Sequence, residues 1–194
     1  MKQLTNKGFT LVELLIVIAI LGVLSATVVI VINPLELLKQ ARDSARVSDL
    51  GALKSSVTLY IADAANVDMN SGNLDSECAT KYYTNVIPLT NSFVRPGLTA
   101  KATSSQAVDG TGWLPLDFTT LSSESPLSSM PVDPTNINDL VYRYACLQDT
   151  NTKQYEINAV LESKKYKETL DVDGKDGGDN LDFYEIGNSP GLKL

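Results

Sequence analysis

Glu13 occupies the one position in this chain that demands a chemical explanation. It is the only ionisable side chain between Phe9 and Ile32, a run otherwise rich in Leu, Ile, Val and Ala. As a helix that run would be about 36 Å long, enough to cross a bilayer. A carboxylate inside such a span is costly and by default functional. Phe9 lies four positions earlier, so both residues share one helix face. Lys7 and Gly8 stand directly before it. Hydrolysis of the Gly8–Phe9 bond would create an α-amino group able to neutralise Glu13 of its own chain or of a neighbouring copy. The second pairing would turn a membrane segment into an assembly device.

From Lys7 to Gly22, and above all in Lys7-Gly8-Phe9-Thr10-Leu11-Val12-Glu13-Leu14, the sequence resembles the type IV pilin and pseudopilin family. The resemblance implies a leader peptide over residues 1–8, cut between Gly8 and Phe9 by a prepilin peptidase. It also implies N-methylation of Phe9 and a role for Glu13 in setting subunit register. The partners it implies are further copies of the chain in a homo-oligomeric helical filament, the prepilin peptidase/N-methyltransferase, an inner-membrane assembly platform, a cytoplasmic ATPase, and membrane lipid before assembly. The protein would be a single-pass protein of the cytoplasmic membrane, amino terminus inside, and afterwards part of an extracellular or cell-surface filament.

Two simpler explanations fit less well. A secretory signal has an apolar stretch of about 7–15 residues followed by a small-residue cleavage site. Here the run is longer, the glycine precedes it, and Leu24-Ser25-Ala26 is a poor cleavage match. A plain membrane anchor accounts for the length but not for Glu13. Lys2 and Lys7 precede the run while Lys39, Arg42 and Arg46 follow it. The positive-inside rule is therefore ambiguous or slightly contrary, and the orientation rests on the resemblance.

The chain has 194 residues, and beyond an extended amino-terminal helix the remainder suits one small domain. Its formal charge is −7, and loss of Met1–Gly8 would remove Lys2 and Lys7 and leave −9 before the new amine is counted. Such acidity makes nucleic acid an unsuitable partner, because sequence-independent binding needs clustered cations. Acidic neighbours in a filament would repel one another unless paired or bridged by cations. There is no His, which removes the commonest general base and metal ligand. Cys78 and Cys146 lie in the part expected outside the membrane, where they either form one disulfide or remain two buried thiols.

The elements that must position these residues follow from pattern. The expected division is a leader over 1–8, a membrane or filament-core helix over 9–32, an amphipathic helix over 33–65 and a globular head over 66–194. Asn33-Pro34-Leu35-Glu36 has an N-cap residue, a proline suited to the first helical position and an acid three residues on, so a helix restarts there. Many pilins and pseudopilins carry a helix-breaking Pro four residues earlier, where this chain has Ile30. Leu50, Leu53, Val57 and Tyr60–Ile61 repeat at helical spacing. Lys39, Arg42, Asp43, Arg46 and Asp49 alternate in sign, which fits either salt bridges between subunits or a solvated face. The helix is expected to end near Ala64–Asn66.

Asn66–Ala79 and Ala100–Gly112 are polar and predict loops, with a short strand or turn around Tyr82–Ile87 between them. Trp113-Leu114-Pro115-Leu116-Asp117-Phe118 should pack on the domain. Ser122–Asn136, with Pro126, Pro131 and Pro134, excludes helix and central strand. The clearest strand signal is a hairpin, Val141–Leu147 and Gln154–Leu161 about a polar connection. Tyr142, Tyr144 and Cys146 share one face of the first strand, and Tyr155, Ile157, Ala159 and Leu161 one face of the second. That surface should meet the amphipathic helix, with a third strand at Phe183–Ile186. The expected fold class is α+β: a helix spine against a small antiparallel sheet, as in pilin heads. A second resemblance, to other prepilin-type proteins, runs through Pro131-Val132-Asp133-Pro134, Tyr155-Glu156-Ile157, Leu161-Glu162-Ser163, Asp176-Gly177-Gly178-Asp179 and Tyr184-Glu185-Ile186-Gly187.

The stretch Asp171–Asn180 offers carboxylates on a glycine-rich backbone, the hard-oxygen chemistry that calcium takes. Its Asp-x-Asp-Gly opening partly matches an EF-hand loop, but Asp182 stands where that loop needs Glu. Major pseudopilins of type II secretion systems place calcium in a late loop of the head, so Asp171, Asp173, Asp176 and Asp179 are candidate ligands. The alternative is a solvated acidic turn. No cofactor is otherwise required. An enzyme is not expected: the serines at 122, 123 and 128 have no His and no nucleophile elbow, and the cysteines have no partner base. The expected role is a structural subunit of a type IV pilus. The alternatives are a type II secretion pseudopilin, a DNA-uptake filament, or an anchored surface protein that does not polymerise.

Overall fold

The computed structural model describes residues 8–70, 72, 75–90, 97–148 and 152–188. The chain divides into two compact units, Met1–Leu38 and Lys39–Leu194.

The first unit contains helix α1, Leu11–Ile32. At 22 residues it spans about 33 Å. Its apolar side chains are exposed all round, for example Leu14, Ile18, Leu21, Val28 and Val31. The hydroxyls of Ser25 and Thr27 donate to the carbonyls of Leu21 and Val23, so neither needs water to satisfy its donor. At Asn33 the backbone turns left-handed (φ 44°) and closes α1. Helix α2, Pro34–Asp63, begins at the next residue. Asn33 serves that start too, accepting the Glu36 N–H on both its carbonyl and its side-chain oxygen. The expected restart is present, with one asparagine ending one helix and capping the next.

In the second unit, α2 buries Asp43, Arg46, Leu50, Leu53, Val57 and Tyr60. Their spacing alternates three and four, a single stripe along the helix. Its apolar part packs on a five-stranded sheet ordered β2-β1-β3-β4-β5. The strands are β1 Lys81–Thr84, β2 Thr99–Ala102, β3 Arg143–Gln148, β4 Lys153–Ala159 and β5 Tyr184–Gly187. All neighbours are antiparallel except β1 and β2. Tyr144 stands opposite Ile157 and Cys146 opposite Tyr155, which puts the predicted apolar residues on the helix-facing surface. Trp113, Leu114, Leu116 and Phe118 fill the same core, and the Trp113 indole donates to the carbonyl of Pro131. The architecture is α+β and pilin-like, a long apolar N-terminal helix with a mostly antiparallel sheet.

Two expectations about loops fail. Part of Asn66–Ala79 is helical: α3, Asp75–Thr80, carries Cys78 to within 4.8 Å (Cα–Cα) of Cys146 on β3, and the two form a disulfide. Part of Ala100–Gly112 belongs to β2, an edge strand of Thr, Ala and Lys. Neither segment has an apolar period of its own. The disulfide and the β1 ladder supply the order that local sequence does not.

Candidate functional site

Gly8, Phe9 and Thr10 form an exposed segment ahead of α1. Thr10 is the N-cap in extended backbone (φ −79°, ψ 151°), and Glu13 is the third helical residue. The two make a capping box. The Glu13 N–H donates to Thr10 Oγ1 at 3.2 Å, and Glu13 Oε2 accepts from the Thr10 N–H at 2.9 Å and its hydroxyl at 2.8 Å. Glu13 Oε1 accepts from no described residue. The acid is thus fixed at the helix start with one oxygen open, four residues after Phe9, and hydrolysis of the Gly8–Phe9 bond would leave the box intact. Phe9 is 86% exposed. Nothing lies within 4 Å of a Cβ built at Gly8, so packing does not require glycine there. Lys2 and Lys7 lie outside the described residues.

In the head, two of the alternating charges of α2 are turned inward rather than to solvent. Asp43 and Arg46 are fully buried. Arg46 donates to both oxygens of Asp133 (2.6 and 2.9 Å), to Asp43 at 2.7 Å and to Glu162 at 2.7 Å. Arg42 adds a two-pronged contact to Glu162 at 2.7 and 2.9 Å. Asp43 in turn accepts the N–H groups of Glu162 and Ser163. The hydrogen bond from Arg42, with Arg46 beside it, holds the Glu162 carboxyl down at about 2. Burial works to lower the Arg46 pKa, but the bonds to Asp133, Glu162 and Asp43 raise it instead. The partners come from Pro131-Val132-Asp133-Pro134 and Leu161-Glu162-Ser163, so these segments pin the amphipathic helix to the head. Sequence periodicity missed this because charged residues occupy the first two positions of a buried stripe.

The acidic turn disperses its carboxylates. Asp171 adopts φ 54° and lies 3.4 Å from the Lys175 ammonium. Asp173 is buried, and burial raises its pKa. Asp176 accepts the N–H of Gly178 at 2.8 Å and of Glu185 at 2.6 Å, fastening the turn to β5. Asp179 is exposed. Among the described residues, no three or more His, Cys, Asp or Glu side chains are grouped so as to hold a metal ion. The structure brings together a different pair: Glu156 of β4 and Glu185 of β5, both raised in pKa by burial, Glu156 also by the Glu185 charge and Glu185 by Asp176 and Asp179. The repeated Tyr-Glu-Ile triplet was the available signal for that pair.

Residues 4–29 match the family described as the prokaryotic N-terminal methylation motif. No curated protein and no solved structure matches the chain. The matched span contains Gly8, Phe9 and Glu13, the residues that the capping box and the exposed segment set in register. This chain carries the motif that is the hallmark of type IV pilin and pseudopilin precursors.

Proposed function

We propose that the chain is the precursor of a structural subunit of a type IV pilus or pilus-like filament. The motif implies processing by a prepilin peptidase and assembly into such a filament, after anchoring in the membrane by α1. In this reading the cut falls after Gly8, Phe9 is methylated, and its amine pairs with Glu13 of a neighbouring copy. The observation that carries the proposal is the state of Glu13: the only acid of an exposed apolar helix, held by Thr10 with Oε1 open. Burying that carboxylate among packed helices is costly without a cation, and the freed terminus supplies one. The role is mechanical; the chain itself needs no covalent chemistry.

Co-expression with a prepilin peptidase tests the processing step by intact mass. A loss matching Met1–Gly8, with the gain of one methyl group on Phe9, is expected. An unchanged mass would point instead to an anchored surface protein. A type II secretion pseudopilus would use the same helix, and electron microscopy of sheared cell-surface filaments separates the two: the pilus reading requires this chain in them.

A further inference from the structure

The face of the sheet turned away from α2 carries an acidic pair that the filament reading does not use. Glu156 and Asn158 lie two apart on β4, and Glu185 pairs with Asn158 across the β4–β5 ladder. Glu156 and Asn158 are 1% exposed and Glu185 0%. The Asn158 amide donates to Glu156 Oε1 at 3.2 Å, and the Asn180 N–H donates to Glu185 Oε2 at 3.0 Å. Three buried oxygens then remain without a donor: Glu156 Oε2, Glu185 Oε1 and Asn158 Oδ1. The two carboxyl groups lie within hydrogen-bonding reach of each other.

Buried acceptors without donors are rare in folded proteins, and three in one place need protons, water or a cation to satisfy them. A single proton shared between the glutamates would still leave one negative charge buried and Asn158 Oδ1 unsatisfied. No Lys or Arg among the described residues forms an ion pair with either glutamate. Arg143, across the ladder from Asn158, donates to the carbonyls of Val141 and Asp139. The turn above adds negative charge through Asp176 and Asp179. At Gly178 a Cβ would collide with the Glu185 carboxylate, so glycine there makes room for the acid.

We propose that Glu156, Asn158 and Glu185 form a site for a hard divalent cation, on the outer face of β4 and β5 beneath the 176–180 turn. Two carboxylate oxygens and an amide oxygen are the donor type that calcium and magnesium take, and a double charge neutralises both acids. The site is separate from Asp171 and from the exposed Asp179. A bound ion would fasten the turn to the sheet.

The test uses the full chain in detergent micelles, stripped with chelator and titrated with Ca²⁺ or Mg²⁺ by calorimetry and thermal melting. The expected result is one saturable site, proton release on binding, and a rise in Tm of about 5–10 °C at a hundredfold excess over Kd. The double variant Glu156→Gln/Glu185→Gln should lose the response, since paired amides need no cation. Asp171→Asn/Asp179→Asn should retain it, and remains decisive if the first variant does not fold. No response to either ion in the unaltered chain, an unchanged response in the glutamine variant, or loss of the response in the asparagine variant would each overturn the proposal.

Discussion

Arg46 shows at the scale of single residues how this head is held together. A fully buried guanidinium touching three carboxylates is not replaceable by another cation, because its fork matches Asp133 on two bonds at once. Arg46→Ala leaves Asp43 and Asp133 buried and unpaired. It should cost about 3–5 kcal/mol in denaturant unfolding of the micelle-embedded chain. Arg46→Lys should recover only part of that loss. Acid pH tests the same cluster. The folded Glu162 carboxyl sits near 2 against an ordinary 4.5, so its contribution is complete above about pH 4.5 and is lost as pH falls towards 2. Tm measured across that window should drop, and Glu162→Gln should flatten the drop. The Glu156–Glu185 pair has the opposite sign, because burial first and neighbouring carboxylates second raise it. With divalent cations removed, its contribution is present below pH 4.5 and fades as pH rises through the elevated folded value. Glu156→Gln should reduce that alkaline decline.

Individual elements differ in how far they could be foreseen. The β3–β4 hairpin and the α2 stripe from Leu50 onward are written in period, two for the strands and three-four for the helix. The structure follows both, and the break at Asn33-Pro34 is equally legible from cap chemistry. Helix α3 and strand β2 were not legible. Each is short and polar, and each is ordered by something distant in sequence: a disulfide for α3, a parallel partner for β2. Likewise Gly8, Phe9 and Glu13 stand out in the motif, whereas Glu156 and Glu185 could not be paired until β4 and β5 were placed side by side. The Cys78–Cys146 bond spans 68 residues, so in the chain-entropy model it contributes roughly 4 kcal/mol. Reduction, or Cys78→Ser/Cys146→Ser, should lower unfolding stability by about that amount. It should also speed amide exchange in β1 and α3 relative to β4.

For the molecule as a whole, two physical demands meet at the membrane. The first unit exposes an apolar helix that needs lipid or other helices around it, and the head is a self-sufficient disulfide-linked fold with its own core. After the proposed loss of Met1–Gly8 the chain would carry a formal −9 before its new amine is counted, so packing copies together would concentrate like charge. Filament yield after mild shear should therefore rise with ionic strength, as screening shortens the range of that repulsion. Sedimentation of sheared material at low and moderate salt checks this. In the proposed filament the amine of Phe9 pairs with Glu13 of a neighbouring copy. The most direct measurement is electron microscopy of filaments from cells producing Glu13→Gln in place of the unaltered chain. Intact mass should show normal removal of Met1–Gly8, the disulfide should form and the head should melt as before, yet no filaments should be seen. Filaments of normal number and length from that variant would contradict the account.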